Sequence, residues 1–318
     1  MEMEVDSLIK ELKQDDGNIR AAAVENLGTE GTQAVDLLIQ ALKDSEWEVR
    51  YSSELALVEI GKPSVDALIE ALKDNDSKVR ACSAEALGMI MDARAVDPLI
   101  QALEDDCRGV RCNAAQALGK IKDTRSIDPL FRVLTTDNDS WVRGEAAEAL
   151  AEIEDPSVRS LDEALKDKHS FVRLQAVEAL GKIREARALD PLIQALRDNN
   201  SEVRAEAARA LGNINDVRAA DPLIRSLNDN NSWVRKDAAE ALVQIGKHIA
   251  ELLTEALKDD DWTVRIAAAA TLGKLTNNRA VRFLIESLED NDIDFRRKAA
   301  IGLVKTLNRH KSRSSQKN

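Results

Sequence analysis

Residues 97–121 read Asp97-Pro98-Leu99-Ile100-Gln101-Ala102-Leu103-Glu104-Asp105-Asp106-Cys107-Arg108-Gly109-Val110-Arg111-Cys112-Asn113-Ala114-Ala115-Gln116-Ala117-Leu118-Gly119-Lys120-Ile121. Leu99, Ile100 and Leu103 fall at i, i+1 and i+4, which puts them on one stripe of a first helix. From Val110 the Ala-rich run through Leu118 reads as a second. Two helices this short bury too little surface to be stable alone, so the fold depends on whether the pattern recurs. It recurs along the whole chain. An apolar residue followed by arginine ends at Arg20, Arg50, Arg80, Arg111, Arg143, Arg173, Arg204, Arg235, Arg265 and Arg296. Leucine stands seven residues after each, and Ala or Ser stands three after each. This register predicts an all-α chain, an α-solenoid (superhelix) of ten helix-pair repeats that stack so that each completes its neighbour's core. The repeats run at approximately 1–30, 31–61, 62–92, 93–123, 124–154, 155–184, 185–215, 216–246, 247–276 and 277–308, a single array over 1–308, and 309–318 reads as a disordered basic tail.

Local signals agree with this register. Asp precedes Pro98, Pro129, Pro191 and Pro222, which predicts an Asp N-cap and Pro at the first position of the first helix. Asp or Asn four residues before the repeat Arg (Asp16, Asp76, Asp139, Asn200, Asn231, Asp261, Asp292) predicts a cap for the second helix. Gly follows the repeat Leu in six units. It is either a C-terminal cap or a point of close helix approach, and the sequence alone leaves both open.

The chain of 318 residues carries a net charge of −12, which argues against a general nucleic-acid binder. Residues 1–295 hold 37 basic and 57 acidic side chains, whereas Arg296 to Asn318 hold eight basic and no acidic ones. No signal peptide or membrane-spanning run is expected, and three cysteines make no disulfide framework; the expectation is a cytoplasmic protein.

The stretch Leu118-Gly119-Lys120-Ile121-Lys122-Asp123-Thr124-Arg125-Ser126-Ile127-Asp128-Pro129-Leu130 resembles the HEAT-like repeat of phycobilin-lyase-related proteins, the E–Z type, and similar stretches begin at Leu87, Leu180 and Leu211. The resemblance implies a structural ladder in which each repeat Arg pairs with the Asp six residues before it: Asp44 with Arg50, Asp74 with Arg80, Asp105 with Arg111, Asp137 with Arg143, Asp167 with Arg173, Asp198 with Arg204, Asp229 with Arg235, Asp259 with Arg265 and Asp290 with Arg296. It also implies possible activities. Deoxyhypusine hydroxylase, a HEAT-repeat enzyme, holds iron with His-Glu pairs, but His169, His248 and His310 are followed by Ser, Ile and Lys, so that chemistry is not expected. No catalytic constellation, cofactor site or metal site is expected. Cys82, Cys107 and Cys112 read as small packing residues. Trp47, Trp141, Trp233, Trp262 and Phe171, each shortly before a repeat Arg, read as shields over the inter-helix turn.

If the second helices line a concave face, as HEAT solenoids do, their outward positions lie one, two, five and nine residues after each Arg. These hold Glu85, Glu145, Glu148, Glu152, Glu178, Glu206, Asp237 and Glu240, and in the second repeat Tyr51 and Leu55. Repeated acid on one face, with an aromatic and aliphatic pair beside it, points to a non-catalytic scaffold or adaptor that binds a protein or peptide, a basic one. The other class the resemblance leaves open is a phycobilin-lyase-like or chaperone-like factor acting on a cofactor-bearing protein.

Overall fold

A computed structural model describes residues 2–259, together with 264–265, 268–269, 271–272, 281–282, 285–289, 293, 296–297, 299–301 and 303–304. The described residues form helices and turns without a strand, and the chain is an all-α solenoid. The first helices are α1 (Glu2–Glu11), α3 (Val35–Ala41), α5 (Val65–Ala71), α7 (Val96–Ala102), α9 (Ile127–Thr136), α11 (Val158–Ala164), α13 (Leu189–Ala195), α15 (Ala220–Ser226) and α17 (Ala250–Ala256). The second helices are α2 (Gly17–Gly28), α4 (Trp47–Ile60), α6 (Ser77–Ile90), α8 (Arg108–Ile121), α10 (Ser140–Ile153), α12 (Ser170–Ile183), α14 (Ser201–Ile214) and α16 (Ser232–Ile245). Two compact units divide the chain, Met1–Ser160 and Leu161–Asn318. Within the first, second helices stack in the order α2, α4, α6, α8, α10; within the second, α12, α14 and α16 do the same. The basic tail 309–318 and Asp290 lie outside the described residues.

The periodic leucines are the core. Leu27, Leu57, Leu87, Leu118, Leu150, Leu180, Leu211, Leu242 and Leu272 are fully buried, as are Leu38, Leu68, Leu99 and Leu130 of the first helices. Small residues beside them let second helices approach closely. A Cβ added to Gly88 would stand 2.7 Å from the Cα of Ala117, and one on Gly119 would stand 2.7 Å from the Cα of Ala149. Both helices run on past these glycines, to Ile90 and Ile121, and end on Met91 and Lys122 in the left-handed region. The glycines are therefore points of approach, and the cap falls three residues later.

The turns depart from the sequence reading. Asp16, Asp76, Asp139, Asn200 and Asn231 do cap the second helices, each accepting from the amide two residues on. The first helices begin earlier than Asp-Pro implies. Helices α7, α9, α13 and α15 each follow a 3-10 turn, their N-caps are Ala95, Ser126, Ala188 and Ala219, and Pro98 lies two residues inside the helix that starts at Val96. Proline is still tolerated there, because the first four amides of a helix have no intrahelical acceptor, and the Asp before it acts through the helix dipole.

The arginine ladder runs between repeats. Arg20 donates from Nε and Nη2 to the carboxylate of Asp44, both at 2.7 Å. The same fork joins Arg80 to Asp105, Arg111 to Asp137, Arg173 to Asp198 and Arg204 to Asp229. The Asp six residues before each Arg contributes its backbone carbonyl instead: Nη1 of Arg50, Arg80, Arg111, Arg143, Arg173, Arg204, Arg235 and Arg265 reaches the carbonyls of Asp44, Asp74, Asp105, Asp137, Asp167, Asp198, Asp229 and Asp259 at 2.6–2.9 Å. For Arg80, Arg111, Arg173 and Arg204 the within-repeat carboxylate pairing is thus corrected: the repeat pitch brings the next repeat's carboxylate to the guanidinium edge. The carboxylate of Asp74 takes Lys43 at 2.7 Å. Asp44, Asp74, Asp105, Asp137, Asp167, Asp198 and Asp229 also close a turn through the amide two residues on, as Asp105 does for Cys107 at 2.8 Å. A second, exposed row joins first helices: Arg94 reaches Asp66 at 2.7 Å and Arg125 reaches Asp97 at 3.1 Å.

Candidate partner-binding face

The second helices place their residues in interlocking rows. Residues two after the repeat Arg do not point fully outward, as the periodicity implied, but sit between neighbouring second helices. Asn113 donates to the carbonyl of Ala81 at 3.0 Å and to Glu85 at 3.3 Å, and Gln116 donates to Glu145 at 2.8 Å. These contacts align α6, α8 and α10, with Glu85, Glu148 and Glu152 exposed and Glu145 half-buried along that surface. In the second unit Gln175 holds Glu178 at 2.9 Å, and Arg209 bridges Glu206 at 2.7 Å and Asp237 at 3.3 Å. Asp237 is buried, Glu178 and Glu206 are half-buried, and Glu240 is exposed. Burial, with Glu178 and Asp237 adding to it against Arg209, pushes the Glu206 carboxyl above the ordinary carboxylate range.

These residues converge on a recess of about 310 Å³ lined by Leu174, Glu178, Ser201, Glu202, Ala205, Glu206, Arg209, Asn231, Trp233 and Asp237. Four carboxyl groups face one guanidinium across it. Trp233 is the apolar wall and is 64% exposed. Its ring already attracts a cation, since Lys236 Nζ lies 5.1 Å from the ring centroid. A neighbouring recess of about 640 Å³ shares Glu178, Glu206 and Arg209 but adds Lys182 and Arg184, so the acid character is concentrated on the Trp233 side.

Trp47 and Trp141 depart from the shielding role. Trp141 is 70% exposed and Trp47 61%, too open to cover a turn. Trp262 lies outside the described residues. Trp47 and Tyr51 pack ring to ring, centroids 6.2 Å apart, with exposed Leu55 one turn further along α4. The cysteines are free thiols, partly exposed, and no group of three metal-capable side chains forms among the described residues. Burial pushes the Cys82 thiol up to about 11 and raises Cys112, which keeps both protonated and poor nucleophiles at neutral pH.

One residue buried beside this surface escaped the sequence reading. Glu54 of α4 is 4% exposed, and its Oε1 has no hydrogen-bond partner. Burial, reinforced by Glu85 and opposed by Lys120, pushes its carboxyl up to about 8. A signal for it existed in the register: four residues after the repeat Arg every other unit has Ala or Val.

The profile of HEAT repeats matches residues 5–86, 65–151, 134–199, 189–250 and 245–304, nearly the whole chain. The chain belongs to the HEAT-repeat family. Among solved structures, Kap121p is similar over 96% of this chain and 42% of its own, at 15% identity and a TM-score of 0.59. Kap95p, solved with RanGDP, is similar over 95% of this chain and 51% of its own, at 13% identity and a TM-score of 0.57. The HEAT chain therefore spans about half the length of these solenoids, and at such identities the likeness concerns the fold. Human deoxyhypusine hydroxylase is 21% identical over 87% of this chain, but its TM-score of 0.34 carries no assignment. Comparison with curated proteins gives no match. No described helix is long and apolar enough to cross a membrane.

Proposed function

We infer that this HEAT-repeat chain is a protein-binding scaffold whose second helices receive a basic segment of a partner protein. The observation that carries this reading is the Trp233 recess, where carboxyl groups outnumber cations and an exposed indole offers a face for the methylenes of Lys or Arg. The seat of Lys236 over that indole is the intramolecular version of the same contact. Within the second unit Glu240 adds to the negative potential; in the first unit Glu85, Glu145, Glu148 and Glu152 give the second helices an acid surface of their own that steers a cationic partner, with Tyr51 and Leu55 as its apolar anchor. Kap95p, with RanGDP bound to it, illustrates that a HEAT solenoid can hold a folded protein. The ladder arginines are occupied by carboxylates and carbonyls, so they serve the fold rather than anion binding.

The test is a titration by fluorescence anisotropy with a short Lys/Arg-rich peptide and its Glu-for-Lys counterpart. The cationic peptide binds and weakens with added salt, the acidic one does not bind, and the double variant Glu206→Lys/Asp237→Lys loses at least about tenfold in affinity. Equal affinity of the two peptides refutes the reading.

A further inference from the structure

Glu54 is chemically out of place. The equivalent residues of the other repeats are Val24, Ala84, Ala115, Ala147, Val177, Ala208, Ala239, Ala269 and Ala300. A carboxyl at this packing position loses solvation without gaining a hydrogen bond at Oε1, and a buried group in that condition is costly. Charges around it do not compensate: Glu85 on α6 repels the ionised form, while Lys120 on α8 attracts it more weakly than burial opposes it. The Cys82 thiol of α6, the other near titratable group, feels Glu54 as an adverse charge. Packing gives no reason to keep a carboxyl here.

The surface beside it does. Trp47, Tyr51 and Leu55 stand at i, i+4 and i+8, on one stripe of α4, and are 61%, 52% and 38% exposed. Tyr51, the chain's one tyrosine, precedes Glu54 by three residues, so the two side chains are neighbours on α4, with Tyr51 exposed and Glu54 turned inward at its flank. An apolar, aromatic stripe beside an acid whose oxygen lacks a partner is complementary to a side chain with a methylene stem and a cationic head. We propose that this α4–α6 surface is a separate anchor point for a lysine or arginine side chain of a protein partner, with Glu54 as its carboxylate and Tyr51 and Leu55 as the walls for the stem. The anchor rests on the scaffold reading for the source of the cation, but it does not use the Trp233 recess. Without a ligand, burial biases Glu54 toward its neutral form; the arriving cation supplies the charge partner that ionisation lacks.

The probes are n-hexylammonium and its neutral counterpart n-hexanol, followed by amide chemical shifts of the full chain. Hexylammonium shifts amides of α4 and α6 saturably, and hexanol binds there at least about tenfold more weakly. Glu54→Gln abolishes the preference for the ammonium, and Tyr51→Ala weakens both probes. Glu54→Ala places in α4 the residue usual at this register and serves as a second variant should the amide disturb folding. Equal binding of the two probes, or an ammonium preference that survives both Glu54 variants, overturns the proposal. In the double variant Glu206→Lys/Asp237→Lys the α4–α6 shifts persist. Shifts confined to α12–α16 would overturn the anchor and leave the recess standing, whereas failure of the cationic peptide with α4–α6 shifts intact would strike the recess alone.

Discussion

Replacing Asp105 with alanine separates the ladder observed between repeats from the pairing within a repeat that the spacing suggested. Asp105 accepts from Arg80 Nε at 2.7 Å and Nη2 at 2.8 Å, and from the amide of Cys107 at 2.8 Å. The side chains of Arg80 and Asp105 are 13% and 12% exposed, so solvent screens the fork little. Removing one partner of a fully buried pair costs about 3–5 kcal/mol. Arg80 keeps Asp106 and the carbonyls of Asp74 and Asn75, which places Asp105→Ala near the lower end, about 3 kcal/mol. Asp105→Asn keeps an acceptor for the Cys107 amide and should cost about 2 kcal/mol. The assay is urea unfolding of wild type, Arg80→Ala, Asp105→Ala and the double variant, with a second cycle on Arg80 and Asp74. The Arg80–Asp105 coupling should be about 2 kcal/mol and the Arg80–Asp74 coupling well under 1 kcal/mol, because Asp74 contributes a backbone carbonyl that alanine retains. Couplings in the reverse order would refute the between-repeat ladder.

Three further outcomes follow from the same geometry. Gly119→Ala should lower the melting temperature, by a loss of about 1–3 kcal/mol, since the added methyl meets the Ala149 backbone; an unchanged melting curve would mean the helices have room to separate. The folded-state pKa of Glu54 is raised from 4.5 to about 8. Its stabilising share is therefore full below pH 4.5 and lost as pH rises through about 8, so stability measured by urea midpoints should fall over that window and Glu54→Gln should flatten the fall. Asp44 shifts the other way: the Arg20 guanidinium, helped by the Glu46 amide against the opposing effect of burial, holds its carboxyl low. Its contribution is present above the ordinary carboxylate pKa and lost as pH falls through the lower folded value, and Asp44→Asn should remove that part of the acid transition.

The fold was legible because its determinants are periodic. Leu118, Ala114 and Val110 recur at fixed offsets, and burial makes those offsets the core. The ladder's residues were legible but not its direction: spacing along the chain makes Asp105 and Arg111 neighbours, while the stacking of repeats carries the Asp105 carboxylate back to Arg80. The start of α7 was misplaced because Ala93-Arg94-Ala95 forms a 3-10 turn that feeds the helix before Pro98. Of the residues lining the recess, Glu178, Glu206 and Asp237 could be named from period alone, whereas Trp233 reads from sequence as a shield. Their convergence could not, since the burial of Asp237 beneath Arg209 depends on how α14 meets α16. Glu54 was readable from its register, but attention to outward positions passed over an inward one.

The account stands or falls on where a basic partner touches the chain. Amide hydrogen exchange of the full chain, with and without the Lys/Arg-rich peptide at saturation, reports this directly. The account predicts added protection on α12, α14 and α16 around Glu206, Trp233 and Asp237. Protection confined to the first helices α13 and α15, or no change on the second helices at saturation, would contradict it.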